Sequence, residues 1–148
     1  MKQAEILAEE QTYRFETFNA EIALKIGNYI ANKAIKHNMR IGVDIYVNGR
    51  TLFHFLSDQC SPDNDQWLKR KKNMVLYFQH STKFMVEKLK GNSSLLSTKY
   101  GLKEQEYALI EGGFPIITEF GVIGAICVSG LLPEEDHQMV IEAIQHIK

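Results

Sequence analysis

The stretch that decides the fold is Ile41-Gly-Val-Asp-Ile-Tyr-Val47, then Asn48-Gly49, then Arg50-Thr-Leu-Phe-His-Phe-Leu56. Asn-Gly between two runs of β-branched and aromatic residues predicts a hairpin, because both residues accept the positive φ of a two-residue type I′ turn. Counting outward from the turn pairs Ile45 with Leu52, Val43 with His54 and Ile41 with Leu56 on one face. The other face then pairs Tyr46 with Thr51, Asp44 with Phe53 and Gly42 with Phe55. Both faces are apolar, and such a sheet is covered on both, by helices or by another subunit.

Upstream, Asn19 reads as an N-cap, and Ile22, Ile26, Tyr29, Ile30 and Ala34 recur at helical spacing from Ala20 to about His37, with basic residues near the C-terminal end. Residues 3 to 11 predict a short helix with Ala4, Leu7 and Ala8 on its apolar side, and Tyr13 to Phe18 a brief strand. Downstream, a polar loop leads into one long amphipathic helix from about Asp63 to Lys90, stopped by Gly91. After a Ser/Asn/Gly-rich connection, Tyr107 to Thr118 and Val122 to Ser129 predict a second hairpin, turning through Glu119-Phe120-Gly121 with the glycine left-handed. Pro133 opens a final helix whose core face is Met139, Val140, Ala143, Ile144 and Ile147. The sum is an α+β fold, a profilin-like antiparallel sheet of about five strands flanked by helices, in a single domain spanning 1–148.

Composition bounds the chemistry. With 148 residues, 45% of them hydrophobic and 24% charged, the chain buries a core without metal or disulfide support. Seventeen basic against eighteen acidic residues exclude a general affinity for nucleic acid. The first ten residues carry three acids and no apolar core, unlike a secretory signal, and Gly121 to Val128 is too short to span a bilayer, so a cytoplasmic protein with no membrane partner is expected. Cys60 and Cys127 stand alone, which excludes a disulfide framework and a CxxC zinc site. Charge is uneven: residues 63–90 carry a basic excess, and residues 101–148 set Lys103 and Lys148 against eight acids.

At 100° per residue, Arg70, Asn73, Tyr77, His80, Ser81 and Phe84 share one broad face of the long helix, where a bidentate cation, an amide, a phenol and an imidazole suit a carboxylate or phosphate. The competing reading makes Tyr77 and Phe84 core, gives Arg70 and Asn73 to loop or subunit partners, and leaves Lys69 to Lys72 as a solvated rim. Gly112-Gly113-Phe114-Pro115 lets a ligand approach the backbone at Gly113 and Phe114, or forms a packing bulge. His54 reads as a hydrogen-bonded core histidine, since no second metal ligand stands at a diagnostic spacing. His37, His137 and His146 fall at helix ends or on polar faces and read as surface residues. No triad, paired-carboxylate motif or cofactor loop is present, so catalytic residues stay unassigned and the reading leans away from an enzyme.

Several runs carry a family likeness: Val47-Asn48-Gly49-Arg50-Thr51-Leu52-Phe53-His54, Ser61-Pro62-Asp63-Asn64-Asp65 with Trp67, Arg70-Lys71-Lys72-Asn73, His80-Ser81, Gly112-Gly113-Phe114-Pro115-Ile116 with Gly124, and Val128-Ser129-Gly130-Leu131 with Glu135-Asp136-His137. Over nearly its whole length the chain resembles a little-characterised subgroup of the haem-degrading-domain family, also described as GlcG/HbpS-like. The resemblance implies a profilin-like fold, symmetric homo-oligomers and haem as the one cofactor with a claim on the chain; no haem ligand carries over residue by residue. The expected function is an oligomeric binding protein for a small anionic or tetrapyrrole ligand. The alternative is an interaction or assembly module without a physiological small ligand.

Overall fold

The computed structural model describes residues 3–148. Its elements are α1 (Gln3–Thr12), α2 (Ala20–Lys36), β1 (Gly42–Val47), β2 (Arg50–Leu56), α3 (Pro62–Phe78), α4 (Thr82–Lys88), α5 (Leu95–Thr98), a 3-10 turn (Glu104–Glu106), β3 (Gly113–Thr118), β4 (Gly121–Ser129) and α6 (Pro133–Ile147). The two hairpins make one antiparallel sheet in the order β2-β1-β4-β3. This is the expected profilin-like α+β architecture with four strands rather than five. The expected strand at Tyr13–Phe18 is irregular chain whose backbone bond to the sheet is Phe15 N–H to the Ile117 carbonyl at 2.8 Å, Tyr13 and Arg14 bonding back to the end of α1. Pro115 sits in edge strand β3, where a missing N–H leaves no ladder bond unmade.

Asn48 and Gly49 take φ of 48° and 84°, as a type I′ turn requires, and Gly121 takes 94° in the second hairpin. Tyr46 pairs with Thr51 as expected, but a bulge between Ile45 and Tyr46 shifts every later partner by one, so Ile45 faces Phe53 and Asp44 faces His54. One inserted residue exchanges the faces of everything beyond it. His54 therefore leaves the expected apolar face: it is 39% exposed and lies between Asp44, 2.8 Å from Nδ1, and Asp65, 2.9 Å from Nε2.

Helices α2 and α6 cover one face of the sheet, where Ile26, Ile30, Val140 and Ile144 meet Val43, Ile45, Ile126 and Phe114 in the main core. Asn19 caps α2 by accepting the Ile22 N–H at 2.9 Å. On the opposite face α3 sets Leu68 and Val75 against Ala125 and Cys127. Helices of the same chain thus cover both faces of β1, while β2 stays partly exposed. A third cluster joins Ile6 of α1 to Met74, Phe84, Met85, Leu89 and Leu96. The buried side of α1 is Ile6 and Glu10, not the expected Ala4, Leu7 and Ala8, which face outward.

The long helix expected over 63–90 is two helices. Gln79 adopts the left-handed conformation (φ 61°), and Ser81 restarts the chain as N-cap of α4, accepting the Phe84 N–H at 3.1 Å. Serine at an N-cap offers the backbone a partner that a continuous helix would deny it. No described helix is long and apolar enough to cross a membrane.

Candidate functional site

The helix break divides the expected binding face. Arg70, Asn73 and Tyr77 lie on α3 and turn toward the 3-10 turn and Tyr107 just after it. Arg70 donates to the Tyr107 carbonyl at 2.9 Å and the Glu104 carbonyl at 3.4 Å, and the Asn73 amide donates to the Glu106 carbonyl at 2.8 Å. Tyr77 packs edge-on against Tyr107, ring centroids 6.1 Å apart. His80 and Ser81 belong elsewhere: the buried Glu10 carboxylate lies 2.9 Å from His80 Nδ1 and accepts both the N–H and the hydroxyl of Ser81 at 3.0 Å. Gly113 and Phe114 are buried, the first donating its N–H to the Thr82 hydroxyl at 3.0 Å, the second edge-on to His137 at 5.8 Å.

Of these residues only Arg70 borders a cleft, of about 450 Å³, between α3 and the segment 104–110, with Ser93 at its edge. That volume suits a small organic ligand. Tyr107, Ala108, Leu109 and Ile110 supply much of its wall, and Trp67 and Arg70 its α3 side. The guanidinium carbon stands 4.3 Å from the centre of the Trp67 ring, a cation–π contact that residues three apart on a helix naturally make. Arg70's hydrogen bonds go to neutral carbonyls, so among the described residues its charge is matched by no carboxylate, and its buried Nε finds no partner. The side chain is fixed in place and still cationic. Trp67, the chain's single tryptophan, could have been picked from the sequence by its i, i+3 spacing to Arg70. Tyr107 to Ile110 could not, because they approach from more than thirty residues away.

Haem tests the cleft more narrowly. A flat aromatic side, apolar walls and an unmatched guanidinium fit a tetrapyrrole ring and its carboxylates. Iron fits less well, since the described lining offers oxygen ligands, Tyr107 and Glu104, but no imidazole, thiolate or thioether. The residues present suit the ring and its acid groups, not an iron held by histidine or sulfur.

Around the cleft, α3 is anchored by buried polar contacts. Lys71, expected in a solvated rim, is 3% exposed; its ammonium donates to the Val128 carbonyl at 2.8 Å and to Asp136 at 3.0 Å. Gly112 has φ 124°, and a Cβ there would run into that ammonium and the Val128 carbonyl, so the close approach expected at the glycine pair is filled by the protein itself. Burial pushes the Asp136 carboxyl up to about 6, against the pull of Lys71. His137, expected at the surface, is 1% exposed, with Nε2 2.6 Å from Glu9. Burial raises the Glu9 carboxyl, but its bond to His137 and that residue's charge outweigh this and leave it below its ordinary value. Burial pushes the Cys127 thiol up, as suits a structural cysteine.

A second, larger cleft of about 780 Å³ opens between α2 and the end of α6, lined by Lys25, Tyr29, Lys33, Lys36, His37 and His146 among others. His37 and His146 were expected as plain surface residues. Tyr29 and Lys33 both donate to Glu142, at 2.6 Å from the phenol. That bond raises the Tyr29 phenol to about 12, while Lys33 and Tyr29 hold the Glu142 carboxyl below its usual range.

Residues 18–145 match the family described as haem degrading protein HbpS-like. A UPF0303 protein of Edwardsiella ictaluri is 39% identical over 142 residues, 95% of this chain and 90% of that one. The crystal structure of Ybr137w protein superposes with a TM-score of 0.87 at 29% identity, covering 97% of this chain and 86% of that one. The crystal structure of a PduOC–haem complex shares the fold at a TM-score of 0.72 and 14% identity, over 87% of this chain and 94% of that one.

Proposed function

The chain belongs to the HbpS-like family of haem-degrading proteins, and on that premise we propose that it binds a planar, carboxylate-bearing ligand of the tetrapyrrole class in the cleft at Arg70. The observation that carries the reading is the Arg70 guanidinium, held on the Trp67 face by two backbone carbonyls and ion-paired to no described carboxylate, in a cleft walled by Tyr107, Ala108, Leu109 and Ile110 with Ser93, Glu104 and Gln105 as its polar members. Because that side chain is already immobilised, a ligand carboxylate meets a preorganised donor. The family description and the haem complex of a protein with the same fold support the ligand class. Trp67 and Tyr107 stack the ring, Arg70 takes a carboxylate, and Asn73 and Tyr77 hold the 104–107 segment in place.

Recognition by ring and carboxylate, without an imidazole to the iron, makes a sharp expectation. Haemin and metal-free protoporphyrin titrated into the purified protein, followed by absorbance and calorimetry, bind saturably with affinities within about threefold of each other, a difference under 1 kcal/mol. Absence of saturable binding by either removes the proposal. A strong preference for haemin, with the absorbance of a histidine-ligated iron, places the site elsewhere.

The homo-oligomer keeps a basis of its own in β2, an edge strand of seven residues open to pairing with a second copy. Sedimentation velocity at micromolar concentration gives a closed oligomer; a single species near 17.0 kDa rules it out.

A further inference from the structure

The α2–α6 cleft has a composition the ligand above does not use. Lys25, Asn28, Asn32 and Lys36 follow one another at spacings of three, four and four, so they form one stripe along α2 facing the cleft. The two lysines at its ends are separated by about 16 Å along the helix axis. His37 flanks the stripe at the end of α2 and His146 comes from α6, its ring 4.4 Å from that of Tyr29. No carboxylate stands among the lining residues, and Glu142 behind them is already bound by Lys33 and Tyr29. Cations at a helix C-terminus complement its dipole, which accounts for Lys33 and Lys36. Lys25, in the second turn, has only a loose, exposed i, i+4 pairing with Glu21 at 3.9 Å, and neither that pair nor the dipole accounts for the two amides farther along the helix.

From this stripe we infer that the α2–α6 cleft is a second ligand site, for a linear condensed phosphate. Such an anion repeats its charge along a chain, as the stripe repeats its donors, with lysines as point-charge partners and asparagine amides donating between them. The shared chemistry is the phosphate chain, whether free inorganic polyphosphate or the tail of a nucleoside triphosphate. The stacked Tyr29 and His146 rings offer a shelf that only the latter would use.

The test titrates the full chain with orthophosphate, pyrophosphate, tripolyphosphate and ATP at constant ionic strength, by calorimetry and amide-resolved NMR. Affinity rises with phosphate chain length, and the shifts concentrate in α2 and the end of α6. Lys25→Ala and Lys36→Ala, both exposed positions, each weaken tripolyphosphate about three- to tenfold while circular dichroism stays native, and Arg70→Ala leaves it unchanged. ATP binding more tightly than tripolyphosphate assigns the nucleotide, and equal binding assigns the inorganic chain. Affinity independent of chain length, lysine variants without effect, or shifts centred elsewhere overturn the inference.

Discussion

The two helical layers hold the same sheet by different means. On one face, α2 and α6 bury an almost purely apolar cluster built on Ile26, Ile30, Val140 and Ile144. On the other, α3 has only a small apolar contact through Leu68 and Val75 and is tied down by polar groups: Lys71 to Asp136 and Val128, and His54, which links Asp44 to Asp65. Helix α1 is held in the same manner, by Glu9 on His137 and Glu10 on His80 and Ser81. Hydrocarbon packing is non-directional and tolerates small slippage, whereas hydrogen-bonded ions fix a helix in register. The cleft bordered by Arg70 lies on the layer that cannot slip.

The sharpest way to break this contrast is to remove one ion. Asp136→Ala leaves the Lys71 ammonium buried without its counter-charge, and urea unfolding is expected to show a loss of about 3–5 kcal/mol, much of it restored when Lys71→Met is added. A loss below about 1 kcal/mol would mean that the pair does not anchor α3. On the apolar layer, Ile30→Ala is expected to cost about 3 kcal/mol and Ile30→Val about 1 kcal/mol, a graded response to lost volume. Neither should alter ligand affinity, because neither touches α3; a changed affinity would show that the layers are coupled.

The weaker ties of α1 are expected to respond to acid. The Glu9 carboxyl is held below its ordinary 4.5 in the folded protein, so the stability it contributes is complete above pH 4.5 and is lost as pH falls below that value. Hydrogen exchange of α1 amides should therefore accelerate below pH 4.5 ahead of those in α2, and Glu9→Gln should remove that pH dependence. Uniform acceleration across both helices would contradict the separate docking of α1.

Much of this plan is legible in the sequence where the signal is local. Asn48-Gly49 specifies its turn, Asn19 its cap, and the apolar spacing of α6 its buried face. What escapes is decided over distance. The bulge opposite Ile45 is silent in the pattern because both faces of the hairpin are apolar, so shifting by one residue leaves the alternation intact. That shift alone moves His54 from a supposed core to the side of Asp44. The basic run gives no sign that Lys71 points inward, since its partner Asp136 is sixty-five residues away, and His137 is buried by Glu9 at a separation of 128. Of the expected binding face, Arg70, Asn73 and Tyr77 come together because they share α3. His80 and Ser81 do not, because Ser81 ends the helical register as a cap and turns with His80 to Glu10.

The central claim, a tetrapyrrole-class ligand seated against Trp67 and fixed by Arg70, is tested most directly by the emission of the single tryptophan. Metal-free protoporphyrin titrated into the wild-type protein should quench Trp67 fluorescence along a saturable curve. In Arg70→Ala the same curve should shift to concentrations about ten- to a hundredfold higher, the equivalent of about 1.5–3 kcal/mol for a charge-assisted hydrogen bond. The fold should be retained, at a stability cost of about 1 kcal/mol for the lost carbonyl contacts. Linear, non-saturating quenching in the wild type, or an identical curve in Arg70→Ala, would contradict the account.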